Sequence, residues 1–364
     1  MFKKAVFPGK YIQGVGAVRE LPALIELWGN NGLILAAPSA MKKALPGGAD
    51  LTGQAVIEPF RGECCEDELG RLDGIIAQKH VGVLVGMGGG KTIDTAKVAA
   101  DRAGIPVIIV PTIASTDAPT SGCAVLYSKD GVYEKTLYQR ANPAAVLVDL
   151  DIIAAAPTRF LVAGMGDALS TWFEARSCDR TRSKNECGGH CTAAGMAIAR
   201  LCYETLLEHG AAAKIANDEH IVTPALDRIV EANTLLSGLG FESGGLASAH
   251  ALHNGLTALE ETRSFYHGEK VAFGVLAGRH LTDAPGEEMD EVYRFCEDVG
   301  LPTTLNELGL GAADRRRLML VAEKACGPEQ AMHHEAGTIT PDMVLHAMLA
   351  ADAMGRARKA GKYR

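Results

Sequence analysis

Long apolar runs are missing from this sequence. Nothing in its 364 residues approaches the ~20 consecutive apolar residues that a membrane-spanning helix needs, so a helical membrane protein and a membrane partner are excluded. The start, MFKKAVFPGK, reaches Pro8 and Gly9 before any apolar stretch of signal-peptide length forms, and no secretory leader is expected. Basic clusters are missing as well: 36 Lys and Arg stand against 44 Asp and Glu, a formal charge of −8. Nucleic-acid partners need clustered cations on a phosphate backbone and are excluded on that ground. A tightly spaced cysteine framework is also absent. Nine cysteines, an odd number scattered along a long chain, read as free thiols of a reducing compartment, which makes the cytoplasm the expected location. Neither an internal repeat nor a low-complexity tract is present.

What is present is enough apolar residue, 47% of the chain, to fill two cores, and a length beyond which a single core stops growing. Short β-branched runs alternate with helical patterns in the first part: GLILAA (32–37), QAVIEPF (54–60), VGVLVG (81–86), PVIIVPT (106–112) and AAVLVDL (144–150). That alternation predicts a parallel sheet covered by helices. Between Cys123 and Leu137, two strand-like segments flank Lys129-Asp130-Gly131, which reads as a hairpin on the edge of that sheet. After Asp151 the strand signal stops and Ala- and Leu-rich text with helical spacing begins. The boundary is placed near 152–160, giving an α/β unit over 1–156 and an all-helical unit over 157–364, the latter divided by Gly and Pro into roughly seven helices.

Two loops at the C-terminal ends of strands carry candidate ligand groups. VGVLVGMGGGKTIDTAK leads from a buried strand through Gly86, Gly88, Gly89 and Gly90 into a helix opening at Lys91 or Thr92. Unpaired N–H groups at the positive end of a helix, with no side chains in the way, suit a pyrophosphate. The spacing matches neither the P-loop nor the Rossmann pattern, and a sharp turn that merely needs glycine is the alternative; Lys91 favours an anion. The second loop, PTIASTDAPTSG (111–122), offers the hydroxyls of Thr112, Ser115, Thr116 and Ser121 and one carboxylate, Asp117, at the edge where open α/β sheets bind ligands. An ordinary helix-capping stretch is its other reading.

In the helical part, Asp167 follows a Gly-x-Gly break and reads as a cap or first-turn residue. His250 and His253 stand at i, i+3, with Asn254 one turn above His250, and His267 opens a further helix. One Asp and two His would make an oxygen-and-nitrogen set for zinc or iron(II) with positions left open for substrate, whereas each histidine alone reads as well as a packing residue. Cys187-Gly-Gly-His190-Cys191 lacks the paired spacing of a structural zinc site and reads as a helix approach. His209, His220, His280, His333, His334 and His346 read as solvated.

On these residues the chain resembles the glycerol dehydrogenase family, within the group III, iron-containing-type alcohol dehydrogenase superfamily. The resemblance runs through PGKYIQG (8–14), GGGKTIDTAK (88–97), PTIASTDAP (111–119), GMGDALSTWFEAR (164–176), FESGGLASAHALHNGLTA (241–258) and HGEKVAFG (267–274). It implies an N-terminal α/β dinucleotide-binding domain and an all-helical C-terminal domain, with catalysis in the cleft between them. It also implies a homo-oligomer that oxidises a vicinal diol, glycerol to dihydroxyacetone being the family example, with NAD and a divalent metal. By resemblance Asp167, His250 and His267 are the metal ligands. Gly88, Gly89, Gly90, Lys91, Asp94, Thr112, Ser115, Thr116, Ser121, Cys123 and Tyr127 fall at cofactor positions, Asp117 at a substrate position, and His253 beside the metal.

Two departures bear on chemistry. The iron-dependent branch carries a second histidine four residues after the aspartate, where this chain has Thr171, so zinc is expected over iron. The acid that holds the adenosine ribose is replaced by Ala37, with Ser39 and Lys42 or Lys43 nearby, so weak discrimination against NADP is expected. Within the fold, the rivals are a phosphorylated polyol such as glycerol 1-phosphate, which needs a basic pocket for which only Arg263 and Lys270 offer themselves, and dehydroquinate synthase chemistry. From another class comes a non-catalytic nucleotide sensor, which would have lost the metal ligands.

Overall fold

The computed structural model describes residues 2–29, 31–43 and 55–363; Gln54 and the side chain of Lys43, both named above, lie outside what is described. The chain forms two compact units, Val6–Leu161 with Ile215–Gly238, and Met1–Ala5 with Val162–Lys214 and Leu239–Arg364. No helix among the described residues is long and apolar enough to cross a membrane.

The first unit is built on six parallel strands, β1 (Tyr11–Gly14), β2 (Gly32–Ala36), β3 (Val56–Pro59), β4 (Val83–Gly88), β5 (Val107–Pro111) and β8 (Ala145–Asp149), in the order β1-β8-β5-β4-β2-β3. β2, β4, β5 and β8 are buried along their whole length, which is why they read as continuous apolar runs. β1 is half-buried and contains Gln13, so no apolar run announces it. Ile34, Val85, Ile108 and Leu147 pack against Leu21, Leu24 and Ile25 of helix α1 (Leu21–Glu26), each full burial contributing about 1.5–3 kcal/mol.

Helices α2 (Pro38–Lys43), α3 (Glu66–Lys79), α4 (Gly90–Ala103) and α5 (Leu150–Ala154) complete this unit together with the returning segment. The hairpin forms, as β6 (Cys123–Tyr127) and β7 (Tyr133–Tyr138), but as a separate two-stranded sheet and not on the edge of the large one. The reason is that β6 spends its outer backbone groups elsewhere: Val125 N–H on Asp94 of α4, the Cys123 carbonyl on Lys97, and Tyr127 N–H on the Cys64 carbonyl.

From Thr158 onward nine α-helices are present among the described residues, two more than Gly and Pro punctuation suggests: α6 (Thr158–Thr181), α7 (Ala193–Asp218), α8 (Pro224–Glu231), α9 (Ser237–Gly244), α10 (Ser248–Leu256), α11 (His267–Leu281), α12 (Gly286–Val299), α13 (Arg315–Ala325) and α14 (Pro341–Lys359). One unannounced break is the π-helical turn Ala232–Leu236, which contains neither residue type. Asp167 does not cap a helix; it lies inside α6, a helix of 24 residues. Gly166 is there for close approach, not for a break: a Cβ on it would run into the Gly268 carbonyl at the start of α11. The glycine pair thus lets α6 and the first turn of α11 touch, which brings Asp167 to His267.

Candidate functional site

Three helices of the second unit each contribute one donor. Asp167 comes from the interior of α6, His250 from the first turn of α10, and His267 is the first residue of α11. Asp167 Oδ1 lies 3.1 Å from His267 Nε2 and 3.5 Å from His250 Nε2, and the two Nε2 atoms are 3.4 Å apart. Among the described residues these three form the one group of His, Cys, Asp and Glu whose donor atoms all fall within 4.8 Å.

The rings are aimed by their other nitrogens. Glu174 Oε2 sits 2.6 Å from His250 Nδ1, while Glu174 Oε1 accepts the N–H groups of Ala247 (2.8 Å) and His250 (3.0 Å). His267 Nδ1 is 3.0 Å from His253 Nε2, and His253 Nδ1 is 3.1 Å from Asn254 Oδ1. With Nδ1–H of each ring donating outward, both Nε2 lone pairs face Asp167, the arrangement that metal-binding imidazoles show.

The electrostatics agree. Burial alone would raise the pKa of Asp167, but His267 and His250 hold it well below the usual carboxylate range. Burial likewise opposes ionisation of Glu174, and His250 beside it outweighs the effect. Burial also disfavours a charge on His250, yet Glu174 and Asp167 raise it well above an ordinary histidine. Two buried carboxylates therefore favour a cation at His250 Nε2, be it a proton or a metal. Burial and the neighbours His267 and Lys270 keep His253 well below the usual range, so it stays neutral. One carboxylate oxygen and two imidazole nitrogens, oriented and charge-matched, fit a divalent metal with open positions.

In the first unit, α4 opens at Gly90, with Gly89 alone between it and the end of β4 at Gly88. The turn is packed without room to spare. A Cβ on Gly88 would lie 2.7 Å from Thr92 Oγ1 and 2.9 Å from Ala37 Cβ, and one on Gly89 would lie 2.9 Å from Ile113. Thr112 N–H donates to the Gly88 carbonyl (3.0 Å), and Thr116 Oγ1 is 3.9 Å from a Cβ built on Gly90. A cavity of about 430 Å³ opens beside them, lined by Ser39, Gly89, Thr112, Ile113, Asp151 and Phe160 among others. The backbone of the turn, the 112–116 segment and this cavity suit a dinucleotide in extended form.

The remaining sequence candidates divide. Lys91 stands over the Tyr127 ring (5.3 Å) and pairs with Glu63 (2.6 Å) at a half-exposed site. Asp94 is buried; its carboxylate takes the Val125 N–H (3.0 Å) and pairs with Lys97 (3.3 Å), and burial raises its pKa against the pull of that lysine. Ser121 and Cys123 meet each other through Oγ and Sγ (3.5 Å), and Asp117 Oδ2 accepts from Ser237 Oγ (2.8 Å). Thr171 is buried with its methyl group against Gly240. Cys187 to Cys191 does lead into α7, with Cys191 Sγ on the Gly244 carbonyl (2.8 Å). Of the six histidines read as solvated, His220, His333 and His346 are exposed, while His209, His280 and His334 are half-buried, His280 against Tyr293 and His334 on the Leu246 carbonyl.

Two residues with clear roles escaped the sequence reading. Glu174 lies seven residues, two helical turns, after Asp167 and so on the same face of α6, a spacing that could have exposed it. Lys97 is 1% exposed, and its ammonium donates to the carbonyls of Ala118 (3.0 Å), Ser121 (3.3 Å) and Cys123, which fixes the loop that carries Asp117. Its i+3 spacing from Asp94 was visible.

The family model for iron-containing alcohol dehydrogenase matches residues 8–150. A glycerol dehydrogenase of Thermotoga maritima is 51% identical over 99% of both chains, and one of Escherichia coli is 48% identical over 96% of both. Among solved structures, a probable glycerol dehydrogenase from Sinorhizobium meliloti superposes with a TM-score of 0.93 at 46% identity, covering 98% of this chain and 100% of that one. Close identity over nearly the whole length, together with the converging Asp, His and His donors, places the chain in the iron-containing alcohol dehydrogenase family, on its glycerol dehydrogenase branch.

Proposed function

We propose that this chain is an NAD-dependent, metal-dependent oxidoreductase that oxidises a small vicinal diol at its secondary alcohol, glycerol to dihydroxyacetone. The observation that carries the reading is the convergence of Asp167, His250 and His267, with both Nε2 atoms turned inward by Glu174 and His253. These three residues would hold the ion, and the oxygen-and-nitrogen donor set without a further histidine at Thr171 favours zinc over iron(II). When bound, the metal supplies Lewis acidity to the alcohol oxygen and the nicotinamide supplies the hydride acceptor. The chain's own residues do the rest. Asp167 carries the negative charge that holds a cation, Glu174 and His253 fix ring direction, and Gly88 to Lys91 with Thr112 and Thr116 receive the pyrophosphate and its riboses. Asp117 binds and orients the diol by accepting a hydrogen bond from a hydroxyl. With Ala37 in place of an acid, NADP is accepted beside NAD.

A phosphorylated substrate finds little support: Arg263 is exposed and paired with Glu260 (3.4 Å), and Lys270 is buried. As a homo-oligomer of the cytoplasm, the protein would keep its nine thiols reduced. The test is a panel of diols with NAD and NADP after chelation and after return of defined metals. Chelation is expected to abolish turnover and zinc to restore it. Full activity in demonstrably metal-free protein would overturn the metal assignment, and cofactor binding without turnover of any polyol would favour a sensor.

A further inference from the structure

The segment Ile215–Gly238 begins in the last turn of α7 and lies among the helices in sequence, but belongs to the α/β unit. It ends in the π-helical turn Ala232–Leu236, a rare geometry that recurs at functional positions. What the turn touches is the loop after β5. Asn233 Nδ2 donates to the Ala114 carbonyl (3.0 Å) and to the Leu161 carbonyl (3.1 Å), Thr120 Oγ1 donates to the Thr234 carbonyl (2.9 Å), and Ser237 Oγ donates to Asp117 Oδ2 (2.8 Å). Asn233, Thr234 and Ser237 are all fully buried. Gly238 completes the contact, since a Cβ on it would collide with Thr120 Oγ1 and lie 2.8 Å from the Asp117 carbonyl. The turn itself is tied to β1 through Tyr11 Oη and Thr234 Oγ1 (2.7 Å).

We infer that Ser237, presented by this π-helical turn, is the positioning residue for Asp117: it fixes the carboxylate's rotamer so that the group meets the diol in one orientation. The inference rests on the reading of Asp117 as the substrate-orienting group. A carboxylate at the head of a loop rotates about two bonds, and each orientation it must abandon on binding costs affinity or rate. A buried hydroxyl donating to one oxygen removes that freedom before substrate arrives, and the contacts at Ala114 and Thr120 on either side keep the loop from following the carboxylate.

The experiment compares Ser237→Ala, Ser237→Thr, Asp117→Asn and the double variant Ser237→Ala/Asp117→Asn in the metal-loaded enzyme. Kinetics on glycerol, NAD binding by calorimetry without substrate, and the thermal midpoint are followed for each. Ser237→Ala should lower kcat/KM for glycerol about tenfold, the effect of one hydrogen bond to a charged group, with the NAD Kd unchanged. Ser237→Thr, which keeps the hydroxyl, should recover most of the loss, and the double variant should be no worse than Asp117→Asn alone. A Ser237→Ala loss that adds in full to that of Asp117→Asn, or that appears equally in NAD binding, overturns the positioning role. If Asp117→Asn itself leaves glycerol kinetics untouched, the substrate role of Asp117 falls and this inference with it. If Asp117→Asn is impaired and Ser237→Ala is not, only the positioning role falls. Should Ser237→Ala not fold, Ser237→Cys, similar in size with a weaker donor, answers the same question.

Discussion

The two units build their sites from opposite materials. In the helical unit the site is made of side chains from three helices, far apart in sequence, and every ring is aimed by a further side chain: Glu174 behind His250, His253 behind His267. In the α/β unit the turn proposed to receive the pyrophosphate is made of backbone, and what matters there is the absence of side chains at Gly88 and Gly89. The first kind of site fails when an atom is removed, the second when an atom is added. Substitutions can be chosen so that each breaks one site and leaves the other intact.

The largest effect is expected from removing a donor. Asp167→Asn and His267→Ala should each lose the metal and lower turnover by three or more orders of magnitude, corresponding to the several kcal/mol that Lewis-acid chemistry supplies. Metal content by elemental analysis should fall in parallel, while NAD binding to the α/β unit stays within about twofold of the parent, since all three donors belong to the other unit. If NAD binding falls together with metal content, the sites are not independent. The complementary variant is Gly88→Ala. Its methyl group would meet Thr92 and Ala37 inside 3.0 Å, and the strain of overpacking, about 1–3 kcal/mol, should weaken NAD roughly ten- to hundredfold without changing metal content. Unchanged NAD affinity in that variant would show that the turn is merely structural.

The same contrast explains what the sequence disclosed. Continuous burial made β2, β4, β5 and β8 legible, and the run of glycines after β4 made the turn legible, because both are local. The helix start that presents His267 was readable for the same reason, and so was the helical face shared by His250 and Asn254. Asp167 was misplaced at a helix cap because glycine was taken for a break, whereas Gly166 serves an approach to Gly268, 102 positions further along, that no local pattern contains. The return of residues 215–238 to the α/β unit was invisible for a related reason: helical periodicity says that a face is buried, not against what. β1 was missed because a four-residue, half-buried strand gains its pairing from β8, more than a hundred residues on. The candidate metal donors were named by resemblance to a family, and their spacing alone did not select them from the other histidines.

A smaller effect separates donors from the residues that aim them. Glu174→Gln keeps the size of the side chain and removes the charge beside His250 Nδ1, so the ring should still bind metal but with its direction and basicity less well held. A loss of about ten- to hundredfold in metal affinity is expected, read by competition with a chelator of known strength, and turnover should recover at high zinc. His253→Ala should be milder again and retain metal at ordinary zinc, since it supports His267 from the neutral side. If Glu174→Gln is as damaging as Asp167→Asn even at high zinc, Glu174 serves the fold of α6 and α10 more than the metal, and the thermal midpoint will show it.

The smallest effect tests selectivity within the backbone site. Ala37 lies against the glycine turn, its N–H on the Met87 carbonyl (2.9 Å) and its Cβ close to Gly88, at the end of β2 where an acid would accept the ribose 2′-OH and repel a 2′-phosphate. An alanine does neither. Ser39, on the wall of the adjoining cavity, and the exposed Lys42 stand near enough in sequence to meet an extra phosphate. The parent should therefore turn over with both cofactors, and Ala37→Asp should shift the ratio of kcat/KM toward NAD by about tenfold, near 1.4 kcal/mol, with metal content and NAD-linked kcat unchanged. The ratio in the parent decides what the shift means. If the parent already rejects NADP by about a thousandfold, roughly 4 kcal/mol, selectivity comes from another group, and Asp151, the carboxylate lining that cavity, becomes the residue to neutralise; Asp151→Asn should then admit NADP where Ala37→Asp changes nothing.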